Sequence, residues 1–256
     1  MTTQTITVTH QDGITRIALN RPEVRNALNS TMRAELTETL RNLPQDTRCV
    51  VLTGTGQAFC SGQDLGDATA GLDVERILRE EYEPMLAAIT QAPVPVIAAV
   101  NGIAAGAGAN LALAADVVIA TESAVFVQAF SRIGLIPDAG GTFIIPRSVG
   151  NARAMGMMLF SEPVPARQAA DWGMIWEAVP DAEFEARVTA RATTLAQGAT
   201  QAFLATREAI ARSSSHDLSE QLALEARLQG QMAATSDFME GVSAFMQKRP
   251  AKFTGR

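Results

Sequence analysis

The chain has few histidines, few cysteines and no long apolar run, and each shortage closes a class of chemistry. Its 256 residues include two histidines, His10 and His216, and two cysteines, Cys49 and Cys60. The cysteines have no CxxC spacing and no histidine pair nearby, so no metal site is expected. A nucleophilic cysteine would need a base to form its thiolate. His10 falls in a surface-like hairpin and His216 in the serine-rich SSSHD connection, and both read as ordinary solvated histidines. A net charge of -6 argues against nucleic acid as a partner. No apolar run approaches the roughly 20 residues that span a bilayer. The polar start MTTQTITVTHQDG lacks the basic and apolar regions of a signal peptide. The expectation is no membrane, a cytoplasmic location and reduced cysteines. A GxxxxGK[ST] phosphate loop is also missing, and GAGAN resembles a GxGxxG fingerprint only superficially.

What the chain does have is small residues placed after apolar strands. Pro95 to Val100 reads as a buried strand, and Gly106, Ala107, Gly108 and Ala109 open an apolar helix behind it. A helix start offers unpaired N–H donors and the positive end of the dipole. A second loop of the same character, GTGQAFCSGQDLG at Gly54 to Gly66, follows the strand Cys49 to Leu52. Glycine runs also serve tight helix packing, and either loop alone is open to that reading. The pairing of both loops with one acidic residue, Asp138 in IPDAGG, outlines a site.

The apolar pattern sets the organisation. Thr5 to Thr9 and Ile14 to Leu19 read as a hairpin, followed by a helix from Ser30, which has N-cap chemistry, to Leu43. Strands at Cys49 to Leu52, Val96 to Val100 and Val117 to Ala120 alternate with helices near Asp73 to Thr90 and after Gly106. Parallel pairing in an α/β core is expected. From about Gln201 the strand pattern ends, and Ala202 to Arg212, Ser219 to Thr235 and Asp237 to Gln247 are helical in period. We therefore divide the chain into a core, 1–200, and a helical region, 201–256.

Four segments, LNRPEVRNALN (Leu19 to Asn29), AFCSGQDL (Ala58 to Leu65), VNGIAAGAGANLALAADVVIA (Val100 to Ala120) and GLIPDAGGT (Gly134 to Thr142), resemble in order and spacing the motifs of the crotonase (enoyl-CoA hydratase/isomerase) superfamily. FVQAFSRIGLIPDAGGT, ARAMGMML, DWGMIWEAV and the ending GVSAFMQKRPAKFTGR are most similar to its isomerases of epoxidised phenylacetyl-CoA. The resemblance implies a spiral of ββα units, an acyl-CoA thioester substrate, and a C-terminal helical region that builds a homotrimer, often paired into a hexamer. Coenzyme A belongs to the substrate, so neither a separate cofactor nor a metal is implied.

Carried over residue by residue, the resemblance makes the backbone amides of Gln63 and Ala107 an oxyanion hole and Asp138 the proton shuttle. Two preorganised N–H donors stabilise the enolate formed when a thioester loses its α-proton. The Gln63 side chain itself reads as solvent-facing. Substrate contacts are implied for Arg25 (CoA phosphates), Ala27, Leu28, Ser61, Asp64, Leu65, Gly106, Asn110 and Phe130, with Phe245 and Lys248 reaching in from a neighbouring subunit. The family's hydratases carry two glutamates where this chain has Asn110 and Phe130, and neither an amide nor a phenyl ring exchanges protons at neutral pH. One carboxylate suffices to move a proton between carbons. The expected reaction is 1,2-epoxyphenylacetyl-CoA to oxepin-CoA, Δ3 to Δ2 enoyl-CoA isomerisation, or both. The alternatives are an enoyl-CoA hydratase of β-oxidation and a silent CoA-binding protein in which Asp138 merely caps a helix from Ala139 towards Pro146. Phe126, Val127, Ala129, Phe130, Ile133, Leu135 and Ile136 would wall an apolar acyl pocket and raise the Asp138 pKa by desolvation. The loop from Gly66 to Asp73 would shape its selectivity.

Overall fold

Alternation between two sheets organises the molecule, which is known here from a computed structural model describing residues 5–67 and 73–256. An antiparallel hairpin, β1 (Ile6–Gln11) and β2 (Ile14–Leu19), leads to helix α1 (Ser30–Arg41). Three successive turns then each lay one strand in a large sheet and one in a small sheet before a helix. They are β3 (Cys49–Gly54) with β4 (Ala58–Cys60), β5 (Val96–Val100) with β6 (Ile103–Ala105), and β7 (Val117–Thr121) with β8 (Val125–Val127). The helices that follow are α2 (Val74–Ile77) with α3 (Glu83–Thr90), then α4 (Ala107–Leu113), then α5 (Gly141–Val149) with α6 (Asn151–Phe160). After β9 (Val164–Pro165), α7 (Ala166–Asp171), β10 (Glu177–Val179) and α8 (Phe184–Ala196), the chain ends in α9 (Thr200–Ser213), α10 (Leu218–Ala233) and α11 (Ser236–Met246).

The large sheet has the order β1-β2-β3-β5-β7-β10 and the small one β4-β6-β8-β9. Every pairing beyond the opening hairpin is parallel except β8 with β9. Parallel strands need cover on both faces, so they are apolar without alternation. VIAAV in β5 is buried throughout. Successive residues nevertheless serve opposite sides: Val50, Leu52, Val96 and Ala98 face the spiral interior, while Cys49, Val51, Ile97 and Ala99 pack with Phe184 and Val188 of α8. Among the described residues, no helix is long and apolar enough to cross a membrane.

Several boundaries differ from expectation for local reasons. Asn29, not Ser30, caps α1, its side chain accepting from the Met32 N–H at 2.9 Å, and the helix stops at Arg41 before Asn42-Leu43-Pro44. The helix expected near Asp73 to Thr90 is interrupted by a π-turn over Leu78–Tyr82. Helix α5 begins at Gly141 rather than Ala139, because Ala139 and Gly140 both take left-handed backbone angles (φ 47° and 82°), and it runs past Pro146 to Val149. Residues 68–72, the centre of the loop expected to shape the acyl pocket, lie outside the described residues.

Candidate active site

The two loops meet at their glycines. Gly106 sits at φ 52°, ψ -129°, a conformation open only to glycine, and turns the chain from β6 into α4. Its N–H is used by the Val127 carbonyl at 2.8 Å. Gly108, the second residue of the helix, serves packing instead: a Cβ there would lie 2.5 Å from the Cys60 carbonyl oxygen. The glycine run thus serves a tight turn at Gly106 and close packing at Gly108. On the facing loop, a Cβ on Gly62 would lie 2.8 Å from the Ala105 oxygen and 3.5 Å from the Ala107 nitrogen.

The segment Arg21 to Leu28 frames this loop from the other side. The Ser61 N–H donates to Arg25 O at 3.0 Å, Leu28 N–H to Gly62 O at 2.8 Å, and Asp64 N–H to Leu28 O at 3.0 Å. The bridge uses the groups on either side of Gln63 and leaves its own N–H out. Neither the Gln63 nor the Ala107 amide donates to any described residue. Ala107 is the first residue of α4, where an N–H has no intrahelical partner.

Gln63 and Ala107 both line a cavity of about 290 Å³ whose walls include Ser61, Leu65, Val74, Ile77, Leu78, Tyr82, Gly106, Ala129, Phe130, Ile133 and Leu135. Asp138 is the one carboxylate among the described residues of the lining. Its side chain caps nothing, since α5 starts on Gly140 without a side-chain cap. Oδ1 is buried and no described residue donates to it. Instead the Asp138 backbone carbonyl anchors the turn, accepting from the Gly141 N–H at 2.9 Å and from Asn110 Nδ2 at 2.8 Å. Burial pushes the carboxyl pKa up to about 6.

A family model described as enoyl-CoA hydratase/isomerase matches residues 9–256. The chain belongs to the enoyl-CoA hydratase/isomerase family. A Rhodobacter capsulatus protein named a probable enoyl-CoA hydratase is 60% identical over 257 residues, covering 100% of both chains. The Escherichia coli K12 1,2-epoxyphenylacetyl-CoA isomerase is 44% identical, over 96% of this chain and 97% of its own. A crystal structure of enoyl-CoA hydratase from Bacillus anthracis superposes with a TM-score of 0.91 at 34% identity, over 99% of this chain and 100% of that one.

Other residues implied by the family resemblance stand outside the cavity wall. Asn110, expected to touch substrate, is fully buried, with Nδ2 given to Asp138 O at 2.8 Å and Oδ1 accepting from Gln128 Nε2 at 2.9 Å, so in the fold it braces the Asp138 turn. Ala27 and Leu28 are buried, and Leu28 acts through its backbone. Asp64 is paired with Arg21 at 2.7 Å, and Arg25 is exposed beside the Ser61 end of the loop. Phe245 lies in a separate apolar groove with Met232, Phe238, Val242 and Phe253, and Lys248 is exposed just beyond α11. Of the expected apolar wall, Phe126 is in the core and Ile136 is 79% exposed; neither borders the cavity.

Both cysteines are buried, and burial pushes their thiols up to about 12, away from the thiolate form. His10 and His216 are not simply solvated: their ring Nδ1 atoms pair with Thr15 Oγ1 at 2.9 Å and Gln221 Oε1 at 3.1 Å. The Gln63 side chain is likewise not solvent-facing, for Arg33 and Tyr82 hold it. Both residues escaped the sequence reading. Arg33 stands at i, i+3, i+7 with Leu36 and Leu40, on the apolar face of α1, and a charge in such a stripe is the available cue. Tyr82 is the only tyrosine of the chain and sits two residues before Pro84, but only the π-turn aims it inward.

The raised Asp138 pKa carries a stability consequence. The folded protein holds this proton up to about 6, against an ordinary value of 3.8. Stability present at low pH is therefore lost as pH rises from about 4 through about 6. Asp138→Asn removes that titration, so melting temperatures should show the variant gaining on wild type at pH 8 relative to pH 4. An equal difference at both pH values would contradict a desolvated carboxyl.

Proposed function

We propose that this family member is a CoA-thioester isomerase in which Asp138 moves a proton between carbons while the Gln63 and Ala107 amides hold the thioester oxygen. Asp138 carries the reading: a carboxyl in an apolar cavity, raised to about 6, with no partner at Oδ1 and no second acid in the lining among the described residues. In the proposed step the α-proton passes to Asp138, the C–H electron pair enters the Cα–C bond, and charge moves onto the carbonyl oxygen. Each amide aimed at that oxygen is worth roughly 3 kcal/mol. The same carboxyl then returns the proton at Cγ, so nothing is consumed and no separate cofactor is needed.

Position 110 supports isomerisation over hydration in structure as well as chemistry. Both polar atoms of Asn110 are occupied, and a Cβ on Gly141 would lie 2.4 Å from its Nδ2. Position 130 presents a phenyl ring. The favoured substrates are 1,2-epoxyphenylacetyl-CoA, converted to oxepin-CoA, and Δ3-enoyl-CoA, converted to Δ2, with Phe130 and Tyr82 as aromatic walls. The name of the Escherichia coli relative favours the first. Hydratase activity is the second reading, favoured by the name of the Rhodobacter capsulatus relative. A silent CoA-binding role needs Asp138 as a cap, and α5 starts without one.

For the CoA arm, the proposal sets Arg25 against the phosphates, with Ala27, Leu28, Ser61, Asp64 and Leu65 along the pantetheine and adenine. Phe245 and Lys248 would come from a neighbouring copy in a homotrimer or hexamer working in the cytoplasm. Phe245 is 83% exposed and Met246 76% exposed on α11, an apolar end that another subunit would cover. Light scattering at micromolar concentration should return at least a trimer; a monomer would remove the neighbour from the site.

The reaction class is tested by incubating the protein with 3-enoyl-, 2-enoyl- and epoxyphenylacetyl-CoA and following mass and absorbance. Isomerisation should run well above hydration of crotonyl-CoA, and efficient hydration without isomerisation would sink the proposal.

Asp138→Asn separates chemistry from binding. Losing a general base costs about 10²–10⁴-fold in rate, while thioester affinity should stay near wild type because the donor amides belong to other loops. Wild-type kcat/KM should itself fall as pH drops through about 6, the value to which burial raises this carboxyl. A variant that folds, binds and isomerises at the wild-type rate would exclude Asp138 as the base.

A further inference from the structure

The side chain of Gln63 has no part in the proposed chemistry, yet it is among the most tightly held groups near the cavity. Its Oε1 accepts from Arg33 Nη1 at 2.8 Å and from the Tyr82 hydroxyl at 2.6 Å, and its Nε2 donates to Asp64 O at 3.1 Å. Arg33 is fully buried on α1. The same Nη1 also donates to Leu28 O at 2.9 Å, the carbonyl that receives the Asp64 N–H in the bridge opposite Gln63. One guanidinium nitrogen thus grips residue 63 through its side chain and through its bridge partner. The remaining edge of Arg33 is locked by Glu81, with Nε and Nη2 at 3.0 and 2.7 Å from Oε2.

The π-turn over Leu78–Tyr82 makes this arrangement possible. An extra residue in a helical turn re-aims the side chains that follow it, and such turns cluster at functional sites. Here the turn brings Glu81 onto the guanidinium and Tyr82 into the cavity wall, with the Arg33 guanidinium carbon 5.0 Å from the centre of the Tyr82 ring. A loop amide that must point at a developing oxyanion loses most of its value if it can rotate, because stabilisation depends on donors fixed before the reaction. Gly62, at φ 96° immediately before Gln63, leaves that peptide plane to be held by its contacts, the Leu28 N–H on the Gly62 carbonyl from one side and the clamp on the Gln63 side chain from the other.

We propose that Arg33 and Tyr82 are positioning residues that fix the orientation of the Gln63 N–H by clamping the Gln63 side chain, so that this pair sets how strongly the site polarises a thioester carbonyl. The inference rests on the oxyanion-hole reading above. It differs from a purely structural role for the buried Arg33–Glu81 pair, which would influence folding and leave the bound carbonyl unchanged.

The test uses Tyr82→Phe, which keeps the ring wall and removes one hydroxyl, and Arg33→Lys, which keeps the charge and removes the fork. Phenylacetyl-CoA carrying a 13C-labelled thioester carbonyl is bound to wild type and to each variant, and the carbonyl stretch is read by infrared difference spectroscopy. Isomerisation kinetics and melting temperature are measured on the same preparations. Wild type should move the carbonyl stretch to lower frequency, and both variants should lose part of that shift. Their kcat should fall about tenfold with KM nearly unchanged, short of the 10²–10³ lost when a donor itself is removed. A full wild-type shift and kcat in both variants, with only the melting temperature lowered, would overturn the clamp and leave the oxyanion hole standing. Absence of any shift in wild type would overturn the oxyanion hole, and the clamp with it. If Arg33→Lys does not fold, Tyr82→Phe alone decides between these outcomes.

Discussion

Close packing of one backbone loop against another, residues 60–63 against 105–108, is the constraint on which the site depends. Two amides can face a single oxygen only if their chains approach to within van der Waals contact, and side chains would hold them apart. Gly62 and Gly108 meet that demand from opposite sides: one brings its backbone against Ala105 and Ala107, the other against Cys60. The spiral makes the meeting possible. Strands β4 and β6 are parallel neighbours in the small sheet, so the loops leaving their ends lie side by side although about 45 residues separate them in sequence.

Around that contact the environment is divided. The cavity side is apolar, which raises the Asp138 pKa and denies its Oδ1 a partner. The loop sides are polar and hydrogen-bonded, with Arg33, Glu81, Tyr82 and Gln63 in one network and Gln128, Asn110 and the Asp138 carbonyl in another, where Gln128 Oε1 has no partner among the described residues. Such a division suits enolate chemistry, for a base gains strength from desolvation while donors gain from being held still. The cost falls on folding. Deleting Glu81 would leave the fully buried Arg33 guanidinium without its close ion partner, so the Arg33–Glu81 pair ties the integrity of α1 and the π-turn to the geometry of the loop.

Much of this was legible in the letters, and the unreadable parts share a cause. Continuous apolar strands, the small residues after β5 and the acid in IPDAGG come from local pattern, and the motifs in their order led to the family. Asn29 taking the cap from Ser30 is a contest between adjacent good caps that sequence alone does not decide. The π-turn over Leu78–Tyr82 lies between α2 and α3 and has no periodic signature in the sequence. Arg33, Tyr82 and Gln128 act through partners remote in sequence, and a polar residue in an apolar stripe tells that something must satisfy it without telling what.

Asn110 shows how a difference in chemistry becomes fixed in packing. As a sequence letter it is a missing glutamate; in the fold it is a brace, with Nδ2 holding the carbonyl of the residue proposed as base and Oδ1 held by Gln128. Gly141 closes the space next to it, since even a Cβ there would lie 2.4 Å from Nδ2. A glutamate at 110 is one methylene longer. It would have to displace the Gly141 backbone, and it would release the Asp138 carbonyl from its Asn110 partner. The turn it would disturb already carries Ala139 in a left-handed conformation, a local strain of roughly 1–2 kcal/mol that surrounding contacts must hold in place. Restoring a hydratase carboxylate at this position therefore conflicts with keeping Asp138 in place, and the proposed one-acid mechanism is tied to the core as firmly as to the cavity.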